Sequence, residues 1–278
     1  MRGESTMKGV ILAGGKGLRL YPLTKVTNKH LLPVGREPMI YNPVRKLIEA
    51  GITDILVVSD AEQLGGITHI LGSGVQFGCK FTYKAQDGAL GIAHALSLAE
   101  DFARGDKIVV ILGDNVTTGS LKPYVEKFTK QNSGAKILLK KVDNPTRYGI
   151  ASIDECQVLE IEEKPNQPKT NYAALGYYMY DEKVFDIIRK MKPSPRGEYE
   201  ITDVNNIYAQ SGELTYDFLD GEWTDAGTFE SLLLANQMFL QAGDVEKSPI
   251  TTRVSKEQIL DMINHHQTKI TELTKHLN

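Results

Sequence analysis

The 278-residue chain has only two cysteines, Cys79 and Cys156, which are far apart and form neither a CxxC pair nor a Cys/His cluster. This argues against a disulfide framework and against a structural zinc site. Free thiols are typical of proteins kept in a reducing compartment. We therefore expect a cytoplasmic location.

Three further features are missing. No apolar run approaches the roughly 20 residues that a membrane-spanning helix needs, so no membrane partner is expected. The 32 Lys and Arg residues do not exceed the 35 Asp and Glu residues, and the net charge is −3. Without a basic surplus to neutralise phosphates, a nucleic-acid partner is not expected. No G-x-S-x-G motif is present and the six histidines are scattered, so nothing indicates a covalent nucleophile.

The first half of the sequence alternates between two hydrophobic periods. Short β-branched runs, typical of buried strands, occupy residues 8–13, 55–58, 80–85 and 107–112. Between them, apolar residues recur at helical spacing in residues 39–50, 64–71 and 92–103. This alternation predicts βαβ units and a mostly parallel sheet. The strands are apolar throughout, as expected when both faces of the sheet are covered.

After about residue 134 the pattern changes to successive strands with little helix between them, at residues 136–142, 149–153, 158–161 and 175–180. We therefore predict an α/β fold with a Rossmann-like, mostly parallel central sheet flanked by helices, an inserted antiparallel layer and a C-terminal helix. Residues 7–241 are assigned to one domain, with a first part of about 7–134 and a second of about 135–228.

The C-terminal helix is predicted over residues 248–278. Five apolar residues lie on one of its faces: Ile259, Ile263, Ile270, Leu273 and Leu277. Two interpretations are open, a helix packed on its own domain or a contact with another subunit.

A glycine-rich loop, residues 14–17, directly follows the first predicted strand. Such a loop lets backbone N–H groups approach phosphate oxygens, because no Cβ is in the way. It is neither a Walker A loop nor a dinucleotide fingerprint, since Gly17 replaces the Ser or Thr of the first and Leu20 replaces the third glycine of the second. Arg19 and Lys29 follow and add the cations that a triphosphate needs.

Two carboxylates are candidate Mg²⁺ ligands. Asp114 follows a buried strand, where α/β sheets place their ligand crevice. Asp225 precedes a helix-like stretch. Mg²⁺ typically takes one or two protein carboxylates together with substrate phosphates. The alternatives are that Asp114 caps a turn with help from Asn115, and that Asp225 caps the following helix.

Two charged segments are candidates for binding an anion or sugar hydroxyls. Glu163 and Lys164 end a predicted strand before a proline, and Arg196 lies in a Pro/Gly turn. Each could also be an ordinary solvated charge.

Taken together, these motifs resemble the bacterial and archaeal glucose-1-phosphate thymidylyltransferases. The resemblance covers about residues 7–241 and is carried, in consistent order, by residues 14–22, 29–33, 38–41, 113–115, 147–149, 162–165, 194–205 and 223–228. It departs from the usual signature at Leu18, where a threonine is common.

The resemblance implies a role for each matching position. Nucleotide binding is implied for Leu12, Gly14, Gly15, Gln86 and Gly91, with Gln86 reading the edge of the base. Binding of the sugar or its phosphate is implied for Asn115, Gly149, Glu163, Lys164, Tyr177 and Arg196. Catalytic roles are implied for Arg19, Lys29, Asp114 and Lys164, and Mg²⁺ would be held by Asp114 and Asp225.

The implied reaction joins dTTP to α-D-glucose 1-phosphate, giving dTDP-glucose and pyrophosphate, and the resemblance also implies a homo-oligomer. UTP or another hexose 1-phosphate is the alternative substrate. A glycosyltransferase is disfavoured because Val116, not Asp, ends the sequence Asp114-Asn115-Val116. A non-catalytic sugar-nucleotide sensor is disfavoured because both acids and Lys164 are present.

Overall fold

The computed structural model of the chain describes residues 7–241. The helix predicted over residues 248–278 lies outside them. The strands are β1 (Lys8–Leu12), β2 (Pro33–Val34), β3 (Glu37–Pro38), β4 (Asp54–Asp60), β5 (Lys80–Gln86), β6 (Ile108–Leu112), β7 (Asn115–Thr117), β8 (Ala135–Lys141), β9 (Gly149–Ile153), β10 (Val158–Glu163), β11 (Tyr172–Tyr180), β12 (Leu214–Phe218) and β13 (Trp223–Asp225).

Eight α-helices lie among the described residues: α1 (Tyr41–Glu49), α2 (Ala61–Leu71), α3 (Ile92–Ser97), α4 (Glu100–Ala103), α5 (Lys122–Lys130), α6 (Lys183–Lys190), α7 (Ile201–Gln210) and α8 (Phe229–Gln241). The single helix predicted over residues 92–103 is divided into α3 and α4. Helix α5 was not predicted, because its three buried residues stand among lysines in a nine-residue segment. Between residues 7 and 241, no helix is long and apolar enough to cross a membrane.

Nine strands form one mixed sheet. Along its main path the order is β10-β9-β11-β6-β1-β4-β5, and β8 pairs with β11 and β12. The ladders among β6, β1, β4 and β5 are parallel, whereas β11 is antiparallel to both β6 and β8. The predicted fold class is confirmed, and the antiparallel strands continue the central sheet edge to edge.

The centre of the sheet is covered on both faces, as the apolar strands predicted. Val10 and Ile11, successive residues of β1, are both fully buried although their side chains point to opposite faces. One face carries a core cluster that includes Val10, Tyr178, Tyr180 and Tyr208. This rigid centre fixes the carboxyl ends of the strands, where the polar side chains described below are placed.

The direction of the strand crossovers reverses beside β1. From β1 the chain passes to β4 and β5 on one side, and then returns to β6 on the other. The last residues of β1 and β6, Leu12 and Leu112, are paired at this point. Open α/β sheets bind ligands in the crevice outside the carboxyl ends of strands at such a reversal.

A buried carboxylate joins the end of β11 to α7. Asp181 is 6% exposed and accepts hydrogen bonds from Gly134 N (2.6 Å), Tyr208 Oη (2.7 Å) and Lys183 N (3.1 Å). We expect Asp181→Ala to lower the free energy of unfolding by about 3 kcal/mol, because it leaves buried donors without an acceptor. Urea unfolding followed by fluorescence measures this. The control is Asp186→Ala, an exposed residue of α6, and an equal midpoint for the two variants would contradict the expectation.

Candidate active site

A cavity of about 310 Å³ opens at the crossover reversal. The final residues of β1, β5 and β6, which are Leu12, Gln86 and Leu112, line it. Other predicted site residues on its wall are Gly14, Gly15, Lys29, Gly91, Asp114, Glu163, Lys164 and Arg196. The structure thus brings together residues from both halves of the domain.

The two candidate metal ligands are neighbours because of a small second sheet. Strands β7 and β13 pair antiparallel with Asp225 opposite Asn115, the residue after Asp114. The Ala226 N–H also donates to the Asp114 carbonyl at 2.8 Å. Two acids far apart in the sequence therefore lie together, and one of them, Asp114, lines the cavity.

Asp114 is an ionised carboxylate in contact with a cation. Its side chain accepts hydrogen bonds from Lys29 Nζ and, at 3.1 Å, from Asn115 Nδ2. Burial by itself would raise the pKa of Asp114, but the Lys29 ammonium and the hydrogen bonds outweigh it and hold that pKa well below its usual range. The partners are side chains, so Asp114 does not act as a cap for the turn.

The negative charge of Asp225 has more distant partners than the charge of Asp114. Tyr148 Oη donates to its Oδ1 at 3.3 Å, and Arg147 Nη2 lies 3.9 Å from the same oxygen. Burial and the negative charge of Asp114 raise the pKa of Asp225. The helix-cap alternative is wrong, because Thr228 Oγ1 accepts from Ser231 N at the start of α8.

Gly14 and Gly15 lie close to other polar groups where β1 ends at the cavity. Gly15 N donates to Asp60 Oδ2 at 2.7 Å, and Gln86 Nε2 donates to Asp60 Oδ1 at 2.8 Å. A Cβ on Gly14 would lie 2.3 Å from Gln86 Nε2, so a side chain at this position would displace Gln86. The glycine loop is therefore held in place through its contacts with Asp60 and Gln86.

The backbone conformation at residue 91 requires a glycine. Its φ is +103°, and an added Cβ would lie 2.5 Å from the carbonyl oxygen of Tyr199. This close approach joins the start of α3 to the segment that carries Arg196. The walls contributed by the two halves of the domain meet there.

On the opposite wall, Glu163 Oε2 accepts a hydrogen bond from Thr202 Oγ1 at 2.8 Å. Lys164 has a left-handed backbone (φ +46°), and its Nζ lies 3.6 Å from Glu163 Oε1. Arg196 Nη2 contacts Glu198 Oε2 at 2.9 Å and Glu200 Oε1 at 3.1 Å. The Lys164 and Arg196 side chains are about half exposed, so both can reach an anion in the cavity.

Several predicted residues lie behind or beside the wall. Asn115 is 3% exposed, and its Oδ1 accepts from Gly176 N and Trp223 Nε1. Gly149 lies beside Glu163, since its added Cβ would be 3.2 Å from Glu163 Oε2. Tyr177 does not line the cavity. Its ring is fully buried, and burial together with the nearby Asp114 carboxylate raises the pKa of its phenol.

Arg19 lies beside the two acids. A Cβ on Gly227 would be 2.9 Å from Arg19 Nη2 and 3.8 Å from Asp114 Oδ2. Arg19 is exposed, and its position next to Asp114 and Asp225 places a positive charge at the rim of the acidic pair.

Sequence reasoning missed Asp60, His30 and Thr202. Burial, and then the Lys29 ammonium, lower the pKa of His30 to about 3, so this ring is neutral at physiological pH. Asp60 could have been found by its position, since it ends a parallel strand directly beside the strand that ends in Gln86. Thr202 reaches Glu163 across the fold, and no local pattern signals that contact.

The fold and the cavity are those of a nucleotide-handling α/β enzyme, with glycines, cations and an acidic pair at the carboxyl edge of the sheet. The chain belongs to the nucleotidyl transferase family, whose model matches residues 8–242. This confirms the resemblance seen in the motifs.

Similar proteins with names belong to the same class of enzyme. The chain is 43% identical over 234 residues to the glucose-1-phosphate thymidylyltransferase of Mycolicibacterium smegmatis, covering 83% of this chain and 81% of that protein. It is 41% identical over 230 residues to the enzyme of the same name from Neisseria meningitidis, covering 81% and 80%. A Bacillus anthracis crystal structure, provisionally assigned to the same activity and containing sucrose, superposes with a TM-score of 0.83 at 55% identity, covering 88% of this chain and 98% of that one.

Proposed function

We propose that the chain transfers a thymidylyl group from dTTP to α-D-glucose 1-phosphate, releasing dTDP-glucose and pyrophosphate. The observation that carries this is the single cavity where Asp114, Lys29, Gln86, Lys164 and Arg196 converge. Relatives that carry this activity in their names, at 41–43% identity over about four fifths of the chain, support it.

We propose Mg²⁺ as the cofactor, held by Asp114 and Asp225. The donor set fits: two carboxylates lie close enough for one to raise the pKa of the other, and hard oxygen ligands are what Mg²⁺ prefers. The described residues contain no cluster of three or more His, Cys, Asp or Glu side chains that could hold a metal. A pair of acids suits an ion that also takes substrate phosphates. When bound, the ion would neutralise charge that develops on the α-phosphate.

The protein's own residues would position two anions and neutralise them. Lys164 and Arg196 would orient the sugar phosphate, whose oxygen attacks the α-phosphorus of the nucleotide. A new P–O bond forms between the sugar phosphate and the α-phosphorus as the bond between the α- and β-phosphates breaks. Lys29 and Arg19 would neutralise the negative charge of the departing pyrophosphate. The attacking phosphate is already an anion at pH 7, so no general base is needed, and catalysis rests on positioning and electrostatics.

The second candidate is the same reaction with UTP. Gln86 would read the edge of the base that uracil shares with thymine. Among the described contacts, none favours the thymine methyl group. The proposal for dTTP therefore rests on the relatives.

Pyrophosphate release measured with purified protein and Mg²⁺, across the common nucleoside triphosphates and a panel of sugar 1-phosphates, tests the function. We expect release only when both substrates are present, and the highest rate with dTTP and glucose 1-phosphate. A higher rate with another pair would overturn the substrate assignment and keep the reaction. Folded protein that binds nucleotide and releases nothing with any pair would favour the sensor.

A further inference from the structure

Asp60 is hydrogen-bonded to two residues that line the cavity, Gly15 and Gln86. It is the last residue of β4 and lies opposite Gln86, the last residue of β5, in the parallel register. One carboxylate oxygen accepts from Gln86 Nε2 at 2.8 Å and the other from Gly15 N at 2.7 Å. Gln86 and Gly15 line the cavity, and Asp60 lies behind them. Asp60 therefore influences the hydrogen bonds made to a ligand through these two residues.

The Asp60 carboxylate determines which way the Gln86 amide faces. An ionised carboxylate only accepts hydrogen bonds, so Gln86 must turn its NH₂ group toward it. Gln86 is 7% exposed, and Gly14 packs so closely that a Cβ there would lie 2.3 Å from Nε2. With Nε2 committed to Asp60, the amide offers a ligand its carbonyl oxygen and its second N–H in a fixed order.

This order distinguishes pyrimidine bases. The edge of thymine or uracil presents a ring N–H beside a carbonyl oxygen, which matches a carbonyl oxygen beside an N–H on the protein. Cytosine presents a ring nitrogen acceptor beside an amino group, which is the reverse pattern. To bind cytosine the Gln86 amide would have to flip, and its carbonyl oxygen would then face the Asp60 carboxylate with no hydrogen between them.

We propose that Asp60 is a positioning residue that makes the cavity select thymine or uracil nucleotides against cytosine nucleotides by fixing the Gln86 amide. The proposal rests on the proposed function in one respect, namely that Gln86 contacts the base.

The ratio of two affinities is the appropriate readout. Asp60 is an anion beside the glycine loop, so removing its charge changes the binding of every triphosphate in the same direction. Loss of the Gly15 contact also affects all nucleotides alike. Both effects cancel when the affinity for dTTP is divided by the affinity for dCTP, and only the orientation of the base-reading amide remains.

Two substitutions have different expected outcomes. Asp60→Ala frees the Gln86 amide to adopt either orientation, and we expect the dTTP to dCTP affinity ratio to fall at least about tenfold. Asp60→Asn keeps the size of the side chain. Its carbonyl oxygen can still accept from Gly15 N, so its NH₂ group faces Gln86 and favours the flipped amide. We therefore expect the ratio to decrease in the order wild type, Asp60→Ala, Asp60→Asn.

Isothermal titration of full-length wild-type protein and variants with dTTP and with dCTP measures these ratios without turnover. Glu62→Gln, which removes one negative charge from the exposed first turn of α2, is the matched control and should keep the wild-type ratio. Thermal melting checks folding, and if Asp60→Ala does not fold, the Asp60→Asn ratio decides. An unchanged ratio in a folded Asp60 variant, or a wild-type protein that binds dTTP and dCTP equally, overturns the proposal.

Failure of the proposed function gives a different result. If the wild type transfers thymidylyl groups while the Asp60 variants keep its affinity ratio, the function stands and the role of Asp60 is wrong. If the ratio depends on Asp60 in the expected order but no sugar 1-phosphate supports pyrophosphate release, the role of Asp60 stands and the proposed reaction is wrong.

Discussion

Asp114→Asn is expected to reduce kcat for pyrophosphate release by at least about 10³-fold. The substitution keeps the shape of the side chain and the contact with Asn115, but it removes the charge that pairs with Lys29 and that would hold Mg²⁺. Loss of one preorganised electrostatic group typically costs 10²–10³-fold, and loss of a metal ligand adds to this. Steady-state rates at saturating dTTP and glucose 1-phosphate, measured over a series of Mg²⁺ concentrations, give the effect.

The matched control is Glu155→Gln. Glu155 is exposed in the turn between β9 and β10, at the opposite end of that hairpin from Gly149 and Glu163. It should keep the wild-type rate and the wild-type dependence on Mg²⁺. Near-normal turnover in folded Asp114→Asn protein would exclude Asp114 as a metal ligand.

Lys164→Met is expected to lower kcat/KM for glucose 1-phosphate by about 10²-fold or more, with a smaller change in the affinity for dTTP. Lys164 lines the cavity beside Glu163, and its left-handed backbone aims a flexible ammonium from the end of β10. A cation that orients the attacking phosphate acts mainly in the transition state, so its removal lowers the rate more than the binding of the other substrate. Initial rates over a matrix of both substrate concentrations separate the two effects.

Lys169→Met is the control for the loss of a positive charge. Lys169 lies in the segment after β10 and pairs with the exposed Glu160 at 3.0 Å, a surface ion pair of little energetic value. Its removal should leave both constants close to wild type. If the two variants lose activity equally, the effect is one of overall charge and Lys164 has no specific contact with the sugar phosphate.

The regular elements could be predicted from local pattern. The buried strand β1 and the helix α1 were expected at residues 8–13 and 39–50 and are found at Lys8–Leu12 and Tyr41–Glu49. Hydrophobic period and flanking glycines suffice here, because each element is long and regular. Short elements were missed. Strand β7 has three residues, and its existence depends on pairing with β13 more than one hundred residues later.

The candidate site was predictable as a set of residues but not as an arrangement. Motif order identified Asp114 and Lys164, which line one cavity, and Asp225, which lies beside Asp114. The same reasoning placed Tyr177 with the sugar, and the structure buries its ring near Asp114, outside the cavity lining. A pattern in the sequence assigns a residue to a strand, and a shift of one position decides which face it occupies.

The sequence by itself determined the chemical groups available: glycines after the first strand, two acids, and lysines and arginines suited to phosphates. It also determined the more regular strands and helices, such as β1 and α1, since these depend on interactions between near neighbours. Only the tertiary structure decided that Asp225 lies beside Asp114 and that Asp60 faces Gln86. Those contacts follow from the pairing of strands distant in the chain, and pairing register is set by the packing of the whole sheet, which no local pattern contains.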